Sequence, residues 1–204
     1  MRTLEEPRDV LAAAVRLLTR LGHPLQGAAT VLDFGCGAGE LVGACLDLGY
    51  DAYGCDFRSE VATETDRIRA ILDPYRLPFA DNTFDFVCSN AVFEHVQDYG
   101  QALAELRRVL RAGGVSYHVF PSRYMVIEPH VFVPFATIIQ SKWWLSLWAR
   151  LGIRNQFQDG KTSGEVTELN ARYLRNHTTY LPRGQLLREV RKSSRTPASS
   201  SATS

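Results

Sequence analysis

The sequence has almost no excess of charge of either sign. Its 204 residues include 23 basic and 22 acidic side chains, which leaves a net charge of +1. A protein that binds nucleic acid mainly through the phosphates normally carries a strong basic excess, so we expect no nucleic-acid partner. Hydrophobic residues make up 45% of the chain, which is enough for the packed core of one domain.

The chain also lacks the CxxC spacing that is typical of cysteine-based zinc sites. Its four cysteines are Cys36, Cys45, Cys55 and Cys88. Each one falls in or beside a predicted buried strand or helix, as small core residues do in proteins of a reducing compartment. The sequence therefore predicts no metal site.

Long apolar segments are missing as well. Residues 1–9 carry several charged side chains and lack the apolar segment of a signal peptide. Residues 131–151 form the most apolar later stretch, but Pro134 and several polar side chains interrupt it. A membrane-spanning helix needs roughly 18 clean apolar residues, so we expect a soluble, cytoplasmic protein.

Apolar runs alternate with segments of helical periodicity as far as Pro121, and a turn at Ala112-Gly113-Gly114 leads into the last apolar run. The predicted helices are 5–21, 40–48, 59–64 and 99–110, and the predicted strands are 29–34, 52–57, 68–72, 84–89 and 115–120. Alternation of this kind predicts an α/β fold, a Rossmann-like three-layer α/β/α sandwich with a mostly parallel sheet.

The pattern changes after Pro121. Residues 121–160 are rich in aromatic residues and proline, which indicates an insertion or lid rather than a further strand and helix. Two more helices are predicted near 163–176 and 182–191. We expect one domain over residues 1–192 with its core at 28–121, followed by a disordered Ser/Thr/Ala-rich tail at 193–204.

A glycine-rich loop, Asp33-Phe34-Gly35-Cys36-Gly37-Ala38-Gly39, stands where the first predicted strand meets the next helix. Glycines let the backbone turn tightly and approach a ligand, and the helix N-terminus offers free N–H groups. A dinucleotide-binding motif would have its third glycine at position 40, where this chain has Glu40. That carboxylate would repel a pyrophosphate, so the loop disfavours NAD and FAD.

Asp56 stands about twenty residues further on, at the end of the second predicted strand. An acidic side chain at this place can accept hydrogen bonds from both hydroxyls of a ribose. The loop and Asp56 together indicate a ligand that contains a nucleoside.

Four ordered segments of the chain match the motifs of a known family: 31–39, 73–85, 90–96 and 110–114. In these segments the chain resembles the class I S-adenosylmethionine (SAM)-dependent methyltransferases. The resemblance covers roughly residues 28–121, and Ala112 stands where the family usually has proline.

The resemblance implies SAM as the cofactor and assigns residues to its methionine end. Asp33, Gly35 and Gly37 would surround the methionine part, and Gly39 would shape the turn. Asn90 would contact the same end through its backbone.

For the nucleoside end, the resemblance implies four further residues. Asp56 would hold the ribose and Phe57 would line the adenine. Asp73 would accept a hydrogen bond from the adenine amino group, with Tyr75 close by.

Methyl transfer from a sulfonium requires mainly that donor and nucleophile are held in line, and a general base only where the acceptor loses a proton. His95, Glu94 and His130 are the candidate catalytic residues, since His95 follows the fourth strand on the side where open α/β sheets bind ligands. A packing or loop-stabilising role for each of them remains open.

The acceptor is expected to be a small molecule. The only indication of its nature is a helical stripe from Thr137 onward, whose polar side holds Lys142, Ser146 and Arg150 and whose apolar side holds Ile138, Trp144, Trp148 and Leu151. Three interpretations remain open: packing on the helix's own core, a lid over an apolar or aromatic acceptor, and a membrane-surface contact.

The C-terminal part departs from the family, whose members usually finish the sheet with two further strands. No apolar strand pair follows the last predicted helix. We expect a five-stranded sheet with an open edge, an edge covered by residues 121–160, or a truncated chain. An open edge would favour dimerisation.

Two other functions remain open. A degenerate SAM-binding module without catalytic activity, acting through a partner, would fit the incomplete C-terminus. A nucleotide-dependent oxidoreductase would fit the architecture but is disfavoured by Glu40.

Overall fold

A computed structural model of the chain describes residues 7–57, 60–61 and 65–195. The short helix predicted from Ser59 to Glu64 lies largely outside the described residues, as do residues 196–204 of the predicted tail. The described residues form two compact units. The first comprises the residues up to Val92, Asp98–Val119 and those from Glu189 onward, and the second comprises Phe93–Gln97 and Phe120–Arg188.

The first unit is built on one five-stranded sheet, and every pair of neighbouring strands in it is parallel. Its strands are β1 (Thr30–Phe34), β2 (Asp51–Phe57), β3 (Ile68–Ile71), β4 (Phe84–Asn90) and β5 (Leu110–Val119), and their spatial order is β3-β2-β1-β4-β5. The order reverses between β1 and β4, and the carboxyl ends of strands at such a point are where open α/β sheets bind ligands. This confirms the predicted Rossmann-like α/β fold.

Helices α1 (Pro7–Arg20) and α2 (Glu40–Asp47) pack on this sheet, and α3 (Tyr99–Val109) leads into β5. The core of the unit joins buried side chains of both helices to those of β1, β2 and β4. All four cysteines are free and buried, as predicted. The middle of β4, from Phe86 to Ser89, is buried on both faces, as in a sheet that is covered on both sides.

A buried ion pair fixes the chain segment that precedes β4. The guanidinium of Arg108 donates to both carboxylate oxygens of Glu105, to the carbonyl oxygens of Leu77 and Phe79 and to Asp81. Both side chains of the pair are only 9% exposed. Their charges are compensated by good geometry and additional hydrogen bonds, the condition under which a buried pair is retained.

The fifth strand differs from its prediction in one respect. β5 begins at Leu110 rather than at Val115, and the predicted turn at residues 112–114 is an irregularity within the strand. Leu110 pairs with Phe84 and Val115 pairs with Phe86, so four residues bulge out opposite a single residue of β4. Gly113 has φ +80°, a conformation that glycine adopts without strain, and this permits the bulge.

The second unit has its own apolar core. It contains α4 (Lys142–Arg150) and α5 (Ser163–His177), whose buried Leu145, Ala171 and Leu174 pack with residues 131–136. Trp144 and Trp148 pack against the same core, and the indole N–H of Trp144 donates to the carbonyl oxygen of Pro134 (2.7 Å). For these two tryptophans the structure shows packing on the helix's own core.

The predicted stripe was wrong at its two ends. The helix begins at Lys142 rather than at Thr137, because the chain at 135–139 forms a turn in which Phe135 has φ +57°. Ile138 therefore precedes the helix and is 44% exposed, and Leu151 at the other end is 65% exposed.

Helix α6 (Arg183–Arg195) continues three residues beyond the predicted domain limit at 192. The hydroxyl of Ser193 donates to the carbonyl oxygen of Leu103 (3.0 Å), and this contact fixes residues that were expected to belong to the tail. Of the helices in the described part of the chain, none combines the length and apolar character needed to cross a membrane.

The turn after β1 depends on close packing between Gly35 and Val92, which follows β4. Gly35 has φ +80°, and a Cβ atom at this position would overlap a methyl group of Val92. Gly49, after α2, has a similar φ of +84° but no atom close to the position of a Cβ. Substitutions at these two glycines can therefore distinguish the cost of backbone strain from the cost of steric overlap.

We expect Gly35→Ala to destabilise the protein more than Gly49→Ala. Both substitutions force an L residue into the left-handed region, at about 1–2 kcal/mol, and Gly35→Ala adds an overpacking cost of about 1–3 kcal/mol. Urea unfolding followed by circular dichroism measures both losses. Equal losses for the two variants would show that the contact with Val92 does not constrain the loop.

Candidate functional site

The glycine loop lies at the carboxyl end of β1, in the first unit. Gly35, Gly37 and Gly39 have φ of +80°, +49° and +85°, so the loop makes repeated left-handed turns that side chains would strain. The N–H groups of Gly35 and Cys36 donate to the carbonyl oxygen of Cys55 at the end of β2. The loop is thereby attached to the neighbouring strand before α2 begins.

Gly39 also makes room for a side chain of the protein. It is the N-cap residue of α2, and a Cβ atom there would overlap the end of the Ile68 side chain. The sequence pattern predicted the turn, and the structure adds that this glycine serves packing as well.

Asp56 holds the loop through its carboxylate. One oxygen accepts a hydrogen bond from the N–H of Gly37 (2.8 Å), and the other accepts from the N–H of Phe57 (2.7 Å). These bonds orient the carboxylate at the end of β2 and fix it against the loop. Asp56, the residue predicted to bind the ribose, thus also stabilises the glycine loop.

Asp33 is the acidic group near the loop whose pKa departs most from its ordinary value. Its side chain is buried at the end of β1, and burial, with the charge of Asp56 as a second cause, raises the pKa of Asp33 to about 7. Two carboxyl groups near one loop create a site that favours a cationic ligand and disfavours a phosphate. Burial, Asp33 and Asp56 likewise raise the pKa of Cys36 to about 12, so this thiol is not an activated nucleophile.

The residues predicted for the nucleoside end follow β2 and β3. Phe57 is 47% exposed and Asp73 is exposed as well. A carboxylate oxygen of Asp73 accepts from the N–H of Tyr75 (3.3 Å), and the hydroxyl of Tyr75 accepts from the N–H of Asp98 (3.0 Å). Asp98 in turn caps α3, which anchors Tyr75 to a helix.

Asn90 is the last residue of β4 and pairs with Val119 of β5. The next residue, Ala91, has φ +56° and donates its N–H to the carbonyl oxygen of Val119 (2.8 Å). This bond fixes the backbone where the chain leaves the sheet. Since β1 to β4 are neighbouring parallel strands, the nine predicted cofactor residues follow or end strands at one edge of the sheet.

The three predicted catalytic residues lie in the second unit. Glu94 and His95 belong to a short 3-10 helix (Phe93–His95), and His130 lies in the segment before α4. Their carboxylate and ring nitrogen atoms lie within 4.8 Å of one another, and the rings of His95 and His130 meet edge to face. The structure therefore brings together residues that are 35 positions apart.

Both histidines have a fixed orientation. The Nδ1–H of His95 donates to the carbonyl oxygen of His177 (2.6 Å), and the Nδ1–H of His130 donates to a carboxylate oxygen of Glu128 (2.8 Å). Burial lowers the pKa of His95, which favours the neutral ring. In the neutral ring with Nδ1 donating, Nε2 carries the lone pair.

Glu94 is completely buried, and neither of its carboxylate oxygens has a hydrogen-bond partner among the described residues. Burial raises the pKa of Glu94 to about 7. An unpartnered buried carboxyl group is costly and uncommon, which sets this residue apart from ordinary core residues.

The sequence pattern did not single out Glu128, although it stands two residues before His130. Its carboxylate accepts from the N–H groups of His130 and Val131, from the hydroxyl of Tyr180 and from the ring of His130. Burial opposes ionisation, but these hydrogen bonds outweigh it and lower the pKa of Glu128. The sequence did offer one indication of its role, which is an acidic residue two positions before a candidate histidine.

A cavity of about 520 Å³ also lies in the second unit. His130, Tyr173 and His177 line one part of it, and Phe132 and Phe157 supply apolar rings. Its size is in the range of small-molecule sites.

Comparisons with known proteins agree with the fold. Residues 32–117 match the family model described as "Methyltransferase domain". The chain is 35% identical over 103 residues to malonyl-[acyl-carrier protein] O-methyltransferase of Pseudescherichia vulneris, covering 48% of this chain and 40% of that protein. It is 32% identical over 127 residues to the ubiquinone/menaquinone biosynthesis C-methyltransferase of Desulfotalea psychrophila, covering 56% and 50%.

The chain thus spans about half the length of the curated relatives it matches. A crystal structure of a SAM-dependent methyltransferase from Aquifex aeolicus has a TM-score of 0.51 with 20% identity, and the match covers 72% of this chain and 78% of that one. This likeness shows the fold. Residues 32–117 match the methyltransferase family model, and the sheet order and the glycine loop agree with the class I methyltransferase fold.

Proposed function

We propose that this protein is a SAM-dependent methyltransferase that acts on a small-molecule acceptor. The observation that carries the proposal is the pair of carboxyl groups, Asp33 and Asp56, at a left-handed glycine loop. SAM has a positively charged ammonium and a positively charged sulfonium, and it has no phosphate. Its charge fits this loop, whereas the pyrophosphate of NAD or FAD would be repelled.

SAM is the cofactor, and the residue roles follow the resemblance. Asp33, Gly35 and Gly37 receive its methionine part, Gly39 shapes the turn and Asn90 contributes backbone. Asp56, Phe57, Asp73 and Tyr75 receive the nucleoside. The exposure of Phe57 and Asp73 supports this assignment, because residues that meet a ligand must be reachable from solvent.

The reaction is an in-line displacement. A lone pair of the acceptor attacks the methyl carbon, and the carbon–sulfur bond breaks to give S-adenosylhomocysteine. The protein contributes mainly by holding the two reactants aligned, which can supply about 7–11 kcal/mol of the barrier. The side chains proposed on the acceptor side are Glu94, His95 and His130.

The cavity of the second unit supports an acceptor with an apolar or aromatic body. Phe132, Phe157 and Tyr173 line it, and Lys161 and Arg172 add cationic groups at its wall. The lining also includes polar residues such as Asn155 and Asn170, and apolar walls with polar groups that orient the ligand are typical of small-molecule sites. Trp144 packs in the core of the unit, so the cavity rings, not the tryptophans, are the proposed acceptor contacts.

Methyl-labelled SAM tests the activity directly. We expect label to pass to an acceptor in a panel of quinols, phenols and carboxylic acids, with one S-adenosylhomocysteine formed for each methyl transferred. Asp56→Ala should reduce SAM affinity at least tenfold, because it removes the hydrogen bond to Gly37 and the proposed ribose contact. Asp47→Ala, a change at an exposed acid of α2, is the matched control and should behave as the wild type.

A wild-type chain that does not bind SAM would contradict the proposal. Tight SAM binding without transfer to any acceptor would instead favour a degenerate, non-catalytic SAM-binding module.

The pH dependence of SAM affinity tests the role of Asp33. The pKa of Asp33 is about 7 without ligand, so its carboxyl holds a proton at lower pH and must release it to meet the ammonium of SAM. The ammonium itself stays charged below pH 7. We therefore expect SAM affinity to fall on the order of tenfold from pH 7 to pH 5.5, as measured by calorimetry.

Asp33→Asn should bind SAM more weakly at pH 7 and should lose most of this pH dependence, because the amide cannot titrate. A wild-type affinity that stays constant over the range would show that Asp33 does not meet the charged end of the ligand.

A further inference from the structure

We propose that Glu94, His95 and His130 form a binding site for a divalent transition-metal ion of the zinc type. The site lies entirely in the second unit, and its candidate ligand atoms are within 4.8 Å of one another. It is independent of the proposed methyl transfer, since metal binding can be measured in the absence of SAM and acceptor.

The first argument is the unsatisfied carboxylate of Glu94. The side chain is fully buried, and both oxygens lack a hydrogen-bond partner among the described residues. The backbone of the same residue is fixed, because its carbonyl oxygen accepts from the N–H of Thr179 (2.6 Å). A fixed, buried carboxylate that faces two imidazoles is compensated by a cation bound among them.

The second argument is the orientation of the two histidines. A metal-bound histidine nearly always donates its other ring N–H to a carboxylate or a backbone carbonyl, which fixes the ring and its tautomer. His95 donates from Nδ1 to the carbonyl oxygen of His177, and His130 donates from Nδ1 to Glu128. Each of the two histidines has such a partner, and Nε2 of each ring is the nitrogen left for a metal.

The third argument is the anchoring of Glu128. Its carboxylate receives the hydroxyl of Tyr180 (2.7 Å) and two backbone N–H groups, so it is held in place. A carboxylate that accepts from the other ring nitrogen of a metal-bound histidine makes that imidazole a stronger metal ligand. The hydrogen bonds around Glu128 thus prepare His130 for a cation.

The spacing also suits a zinc-type ion. Zinc–nitrogen and zinc–oxygen bonds are about 2.0–2.2 Å long, so ligand atoms in a tetrahedral site are about 3.4 Å apart. The candidate ligand atoms lie within 4.8 Å of one another, so binding of a zinc-type ion requires them to approach by up to about 1.4 Å. Two histidines and one glutamate leave a fourth position open for water or a substrate oxygen, and His130 also lines the cavity, which gives the ion a path of entry.

Titration of the chelator-treated full chain with Co²⁺ tests the proposal, because tetrahedral cobalt absorbs visible light. We expect saturable binding of one Co²⁺ per chain and displacement of the cobalt by Zn²⁺. Glu94→Gln, His95→Asn and His130→Asn should each weaken binding more than tenfold. Glu128→Gln should weaken it by about 10–100-fold, the usual effect of losing a partner of a metal-bound histidine.

His23→Asn and Glu168→Gln are the matched controls, since both residues are exposed and neither belongs to the cluster. They should bind Co²⁺ as the wild type does. Circular dichroism of each variant shows whether it is folded. Where a variant is not folded, the wild-type titration still shows whether the chain binds one metal ion.

The proposal is overturned if the wild type shows no saturable one-to-one binding of Co²⁺ or Zn²⁺. It is equally overturned if the folded variants of the cluster bind Co²⁺ as tightly as the controls.

Discussion

The burial of Asp33 beside Asp56 is the constraint on which the chemistry of the first unit depends. A parallel sheet that is covered on both faces leaves the ends of its strands as the place for polar side chains, and β1 ends in a carboxyl group with little access to water. Desolvation and the neighbouring charge make its ionisation unfavourable, and a positive charge placed beside it would favour the ionised form. The glycines allow a ligand to approach this charge closely.

The same physics distinguishes the two buried glutamates of the second unit. Glu128 is surrounded by donors, which lower its pKa, whereas Glu94 has none among the described residues, and burial raises its pKa. One carboxylate therefore serves to orient His130, and the other has no hydrogen-bond partner among the described residues. If the proposed ion is present, His95 and His130 act as ligands, and neither serves as a free base in methyl transfer.

The sequence was sufficient where local pattern determines structure. Apolar runs and glycines located the five strands and the loop, and Glu40 with Asp56 indicated the type of ligand. It was insufficient where distant residues decide. The contact of Val92 with Gly35, the bulge opposite β4, the contact of Ser193 with Leu103 and the hydrogen bond from Tyr180 to Glu128 all depend on segments that no spacing rule connects. The candidate metal site escaped prediction for the same reason, because His95 and His130 lie 35 residues apart and share no zinc-binding spacing.

The central claim is that the carboxyl groups at the glycine loop select SAM over a dinucleotide. Calorimetric titration of the wild-type chain with SAM and, separately, with NAD⁺ tests it most directly. We predict that SAM binds at one site per chain and that NAD⁺ gives no saturable heat, because the loop offers negative charge where a pyrophosphate would lie. Binding of NAD⁺ as tight as that of SAM, or tighter, would contradict the claim.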